Sequence, residues 1–142
     1  MRNIALISVF FILAGLSYAQ NEPEDYIATF FDLAGQGKIK EAIETMPANN
    51  KFENDTSYTS RLLTRLELLS QKSGEYCGYE LINKEEVTES YIIYTYFMKF
   101  MNAPQKIQFI FYKPKDTWQV NHIALANQSR QQGANRRFGP GM

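Results

Sequence analysis

Residues 90–101, which read SYIIYTYFMKFM, determine the fold of this chain. Tyrosine, isoleucine, threonine and phenylalanine all favour strands, and neither proline nor glycine interrupts them here. Because side chains alternate between the two faces of a strand, the segment divides into two sets. One set includes Thr95 and Lys99, and the other is apolar or aromatic throughout: Ile92, Tyr94, Tyr96, Met98 and Phe100. The segment therefore predicts a long strand with one face against a hydrophobic core.

Three further strands are predicted around this one. Residues 76–83 form the first, with an extension through Val87, and residues 106–112 and 117–125 form the last two. Residues 102–104 (Asn-Ala-Pro) and 113–116 (Lys-Pro-Lys-Asp) supply short turns between them. Short turns between long strands predict an antiparallel meander of four strands.

The chain before residue 74 has helical rather than strand periodicity. Apolar residues recur at i, i+3, i+4 and i+7 in residues 27–34 and again in residues 39–46. A third helix is predicted from about residue 56 to 72, with its buried line formed by Tyr58, Leu62, Leu66 and Leu69. Arg61 and Arg65 lie away from that line. The pattern predicts an α+β fold in which three N-terminal helices pack on a curved four-stranded antiparallel sheet.

The two ends of the chain differ from this domain. Arg2 is followed by an apolar run over residues 4–16, and small residues occupy positions 17 and 19, which is the layout of a secretory signal peptide cleaved after Ala19. The run is shorter than the roughly 20 residues that span a bilayer, so no membrane segment is expected in the mature form. We expect a signal peptide over 1–19, an α+β domain over 20–126, a disordered tail over 127–142, and a secreted or periplasmic location.

Charge and cysteine content narrow the possible functions. The chain has 15 basic and 15 acidic residues, a balance that does not predict a nucleic-acid partner. Cys77 is the only cysteine, so an internal disulfide is impossible. We expect Cys77 to be a small buried hydrophobe, and the alternatives are a reactive thiol or an intermolecular bridge. One histidine and one cysteine are too few for a zinc site, and neither a metal nor a cofactor is predicted.

The second face of the strands is too apolar for a simple solvent face. We expect an outer patch that a second copy of the sheet would cover, giving a homodimer. The alternative is a monomer whose aromatic face is exposed, with Lys99 and Gln108 limiting aggregation. The residues of the predicted patch are Ile93, Phe97, Ile110, Tyr112 and Ile123.

Several segments resemble the nuclear transport factor 2-like (cystatin-like α+β) superfamily. They are the helical opening at residues 26–34, the glycine elbow at 35–37, the Glu-Ala-Ile at 41–43, and a final-strand W-x-V pattern at Trp118 and Val120. The resemblance covers about residues 24–126. It implies a cone-like fold whose cavity, between helices and sheet, can bind a small molecule. The superfamily's enzymes place Asp, His, Arg or Tyr in that cavity, but no contiguous catalytic signature of theirs matches this chain.

Strand alternation places the candidate site residues in the same cavity. Trp118 and His122 share a face of the last strand with Val120, and Tyr94 and Tyr96 share the inner face of the second. We expect these four residues to bind a small apolar ligand. Two hypotheses follow: a non-catalytic ligand-binding or assembly module, or an isomerase- or hydrolase-type enzyme. In the second, His122 is a general base and the tyrosines donate to an oxyanion.

Overall fold

A computed structural model describes residues 21–48 and 55–125 of the chain. Three helices precede four strands in these residues, and none of these helices is long and apolar enough to span a bilayer. The predicted signal peptide and C-terminal tail lie outside the described residues. The helices are α1 (Pro23–Gly35), α2 (Ile39–Glu44) and α3 (Thr56–Ser73), and the strands are β1 (Tyr76–Thr88), β2 (Tyr91–Phe100), β3 (Gln105–Tyr112) and β4 (Gln119–Leu125).

The strands form one open antiparallel sheet in the order β1-β2-β3-β4. The predicted α+β class and four-stranded antiparallel meander are therefore confirmed. β2 and β3 form the centre of the sheet and pair without interruption from Tyr91–Tyr112 to Met98–Gln105. Because both are central strands, inner-face residues such as Tyr94, Ile107, Phe109 and Phe111 are almost completely buried.

Local sequence signals explain where α1 and α3 begin. Pro23 occupies the first turn of α1, where no backbone N–H is needed, and the Glu22 N–H donates to the Asp25 carboxylate at 3.1 Å. At the start of α3 the Asp55 carboxylate accepts the Tyr58 N–H at 2.9 Å. Both contacts satisfy backbone groups that the helix cannot pair internally.

Gly74 sets the passage from α3 into the sheet. Its φ of +84° lies in the region that residues with a Cβ rarely adopt. A Cβ here would also lie 2.9 Å from Asn102 Nδ2. Glycine at this position lets the chain reverse from the last turn of α3 into β1.

One core fills the space between the helices and the inner face of the sheet. Phe30 and Phe31 from α1 meet Phe109 edge-to-face, with ring centroids 5.1 and 5.7 Å apart. Tyr79 of β1 stacks on Phe31 at 4.2 Å. Tyr79 itself is 42 % exposed, and the buried members of the core come from all three helices and from the last three strands, including Ile27, Ile39, Ala42, Ile43, Leu62, Leu66, Ile92, Met98, Ile107, Phe111, Val120, Ile123 and Leu125.

β1 is an edge strand with three irregularities in its pairing to β2. At each one a residue is left out of the ladder: Cys77, Ile82 and Val87. Bulges at an edge twist it and interrupt the row of backbone groups that another strand could pair with. The expectation that Cys77 is buried is wrong, because the first bulge leaves its thiol exposed.

Candidate functional site

Three of the four predicted ligand-binding residues lie on the inner face, as the alternation indicates. Tyr94, Tyr96 and Trp118 are all buried, and Tyr94 is only 1 % exposed. The Tyr94 ring meets Phe111 edge-to-face at 6.0 Å. The Trp118 indole N–H donates to the Glu22 carboxylate at 3.2 Å. These three side chains therefore belong to the core and already contact other residues of the protein.

A small space is present between α1, α3 and the sheet, where Tyr76 and Ser70 meet apolar core residues. Its volume is about 10 Å³, which is about the size needed to admit one water. Burial first, and then Tyr79 and Asp32, raise the pKa of Tyr76 to about 12. This space is far below the roughly 300 Å³ of the smallest usual ligand pockets.

A polar cluster lies where α1 begins and β1 ends. Lys84 Nζ is 2.9 Å from the Glu24 carboxylate, 3.3 Å from that of Glu86, and 5.4 Å from the centre of the Tyr94 ring. Burial and then the Glu24 carboxylate raise the pKa of Tyr94, whose hydroxyl makes no hydrogen bond of standard geometry with a described residue. Burial alone would raise the pKa of Glu24, but Tyr94 and Lys84 outweigh it and hold that pKa below its ordinary value.

His122, the fourth predicted site residue, is not on the inner face. It is exposed and pairs with Ile110, whereas Val120 pairs with Phe111. Asn121 is therefore an extra residue in β4, and this bulge reverses the faces of the residues after it. The placement of His122 beside Trp118 and the tyrosines is wrong. The predicted catalytic arrangement does not share a cavity.

The bulge has a physical cause in the residues that follow it. It turns Ile123 and Leu125 into the core, whereas regular alternation would bury His122 and Ala124 instead. Burying an isoleucine or leucine side chain stabilises a fold by about 1.5–3 kcal/mol. The Tyr58 hydroxyl also holds Ile123, donating to its carbonyl at 2.6 Å and accepting its N–H at 2.9 Å.

The predicted outer patch is correct except for one member. Ile93 and Ile110 are paired and half-buried at its centre, and Phe97 and Tyr112 are 37 and 39 % exposed. Ile123 belongs to the core instead, because of the bulge at Asn121. We call the surface formed by Ile93, Phe97, Ile110 and Tyr112 the outer face.

A groove of about 330 Å³ runs between α3 and β4, and we call it the α3–β4 groove. It brings Arg61 and Arg65 beside His122, whose ring centre is 5.2 Å from that of Tyr58. From the sequence, the two arginines were expected only on the polar side of a helix. Their spacing of four residues was the available signal, since it places both on one side of α3.

Within the described residues, no group of three His, Cys, Asp or Glu side chains is placed to hold a metal ion. Comparisons of the chain with protein-family models, with curated proteins and with solved structures found no match.

Proposed function

We propose that this chain is an exported, non-catalytic assembly module that forms a homodimer through its outer face. Export is supported by the signal-like layout of residues 1–19. The three helices and the four-stranded antiparallel sheet are compatible with the nuclear transport factor 2-like superfamily, and membership is part of the proposal.

The observation that carries the proposal is the apolar outer face. Ile93 and Ile110 pair directly across β2 and β3, and Tyr91 and Tyr112 pair one step along. Beside them the Gln108 amide donates to the Thr95 hydroxyl at 3.0 Å, so this polar pair is satisfied within the sheet. An apolar centre with internally satisfied polar groups can be buried at little cost in desolvation.

The sheet supplies a large part of the area that such an interface needs. Four strands spaced about 4.8 Å apart, each with about eight residues rising 3.3 Å, cover roughly 500 Å² in projection. The accessible area of side chains on such a surface exceeds its projection. A stable complex buries roughly 800 Å² per partner, so side chains at the rim of the sheet would contribute the remainder.

The enzyme hypothesis has less support from the geometry. It requires His122 and the two tyrosines to act on one substrate, but Tyr94 and Tyr96 lie on the inner face and His122 on the opposite side. The space enclosed between α1, α3 and the sheet holds about one water, and the more open cleft of about 420 Å³ between α1 and β1 is lined by none of these three residues.

Sedimentation equilibrium of residues 20–142 tests the proposal. We expect twice the monomer mass for the wild type and the monomer mass for Ile110→Lys, since a lysine would be buried against its own copy. Leu68→Lys is the matched control, because Leu68 is 46 % exposed on α3 and away from the outer face. A monomeric wild type, or equal dissociation by both variants, would contradict the proposal.

A further inference from the structure

The α3–β4 groove combines positive charge with an apolar floor. Leu62 from α3 and Ile123 and Leu125 from β4 line its floor, and the rings of Tyr58 and His122, tilted at 38° to each other, stand at one side. The Tyr58 hydroxyl is already used on the Ile123 backbone, so the Tyr58 ring serves as a wall rather than a donor. The volume of about 330 Å³ is within the range of small-molecule sites.

Contacts to the backbone hold both arginines at this groove. Arg61 Nε donates to the Ser57 carbonyl at 3.2 Å, and Arg65 Nη2 donates to the Leu125 carbonyl at 3.5 Å. A guanidinium has five N–H donors, and the Ser57 contact uses only one of those of Arg61. Held in this way, Arg61 presents its terminal nitrogens with little further loss of freedom.

The charge of Arg61 has no ion-pair partner among the residues that the structure describes. Two arginines four residues apart on a helix repel each other, and no carboxylate of the described residues lies within ion-pair distance of Arg61. Asp55 is the acidic residue that acts on Arg61 electrostatically, but its carboxylate already accepts from the Ser57 hydroxyl and the Tyr58 N–H. An anion in the groove would relieve this repulsion.

The geometry points to a binding site for a small organic carboxylate with an apolar body. Its carboxylate would lie at Arg61 and Arg65, and its apolar body would cover Leu62, Ile123 and Leu125. A planar guanidinium can donate two parallel hydrogen bonds to a carboxylate. Inorganic phosphate or acetate would leave the apolar floor unfilled, which distinguishes this ligand class from a simple anion. Binding here needs neither the homodimer nor an interior cavity.

Titration of the wild type by ¹H–¹⁵N NMR with octanoate, acetate and inorganic phosphate tests the ligand class. We expect saturable octanoate shifts at the amides of Leu62, Ile123 and Leu125, with acetate and phosphate binding at least about tenfold more weakly. The absence of saturable octanoate shifts at these amides overturns the inference. Phosphate or acetate binding as tightly as octanoate overturns it as well.

Charge-removing variants test the residues. Arg61→Gln should weaken octanoate binding about tenfold, because a charge-assisted hydrogen bond is lost. Lys72→Gln is the matched control, since it removes the same charge from the last turn of α3, outside the groove lining, and should change the affinity less than about twofold. Equal affinities for the wild type and Arg61→Gln overturn the assignment. If that variant does not fold, Arg61→Lys replaces it. A smaller loss of octanoate affinity is then expected, because lysine keeps the positive charge but cannot donate the two parallel hydrogen bonds of a guanidinium.

Discussion

Removing the Tyr58 hydroxyl should weaken the attachment of α3 to β4. In Tyr58→Phe the ring remains against His122, but the Ile123 N–H and C=O both lose their partner. Ile123 is 2 % exposed. The change therefore leaves two backbone groups without a hydrogen bond at a buried position of an edge strand.

The size of the effect follows from the cost of an unsatisfied buried group. Each such group costs about 1–3 kcal/mol, and the lower end applies because Tyr58 is half-buried beside an open groove that water can enter. Two groups together give an expected loss of about 2 kcal/mol. For a domain of this size, that corresponds to a fall in Tm of roughly 8 °C.

Urea unfolding followed by circular dichroism measures this loss as a lower midpoint with an unchanged slope. Tyr76→Phe is the matched control, because it removes the same atom from a buried hydroxyl that has no partner among the described residues. That variant should be neutral or more stable by up to about 1 kcal/mol, since an unsatisfied polar group is removed. A loss below about 0.5 kcal/mol for Tyr58→Phe, or equal losses for both variants, would refute the reasoning.

Three further outcomes are expected. The fold lowers the pKa of Glu24 from 4.5 and raises that of Lys84 from 10.5, so their ion pair stabilises the protein between these values and its contribution is lost as the pH falls through the lowered pKa. Glu24→Gln should therefore cost less than about 1 kcal/mol of stability at pH 7, because both side chains are partly exposed, and nothing near pH 2. Urea midpoints that differ equally between the variant and the wild type at both pH values would contradict this. Gly74→Ala should lose about 1–3 kcal/mol in the same assay, because its φ is +84° and the added Cβ meets Asn102; a midpoint equal to that of the wild type would show that the backbone there is not constrained. The Cys77 thiol should react completely with a maleimide in the absence of denaturant, and protection until the protein unfolds would contradict its exposed position.

The sequence was sufficient to predict the helices, the strands and most of the residues on the inner face of the sheet. Residues 90–101 alternate without a break, so the burial of Tyr94 and Tyr96 followed from their position in the strand. The helical stripes were equally regular, and Leu62 and Leu66 are buried where the spacing placed them. These features depend on local periodicity, which a single sequence contains.

The bulges interrupt the regular alternation on which the strand predictions depended. In β4 the phase of apolar residues changes between Val120 and Ile123, which is the signal that a residue is inserted there. Reading His122 in phase with Val120 ignored that change. The hydrogen bond that holds Ile123 in its buried orientation comes from Tyr58, 65 positions earlier in the chain.

The α3–β4 groove was missed for a related reason. Arg61 and Arg65 are about 60 residues from His122 in the chain, and only the packing of α3 beside β4 brings them together. Helical spacing put the two arginines on one side, but it could not show which strand that side meets.

The orientation of β4 after its bulge decides which of its residues face the core and which line the α3–β4 groove, and His122 reports on it directly. As the only histidine in the chain, it gives ring signals that are simple to assign by NMR. We expect nuclear Overhauser contacts from the His122 ring to the Tyr58 ring and, in the monomeric Ile110→Lys variant, strong broadening of the His122 signals by a soluble paramagnetic agent. Contacts from His122 to Trp118 with protection from the agent would show that β4 has no bulge and would contradict this structure.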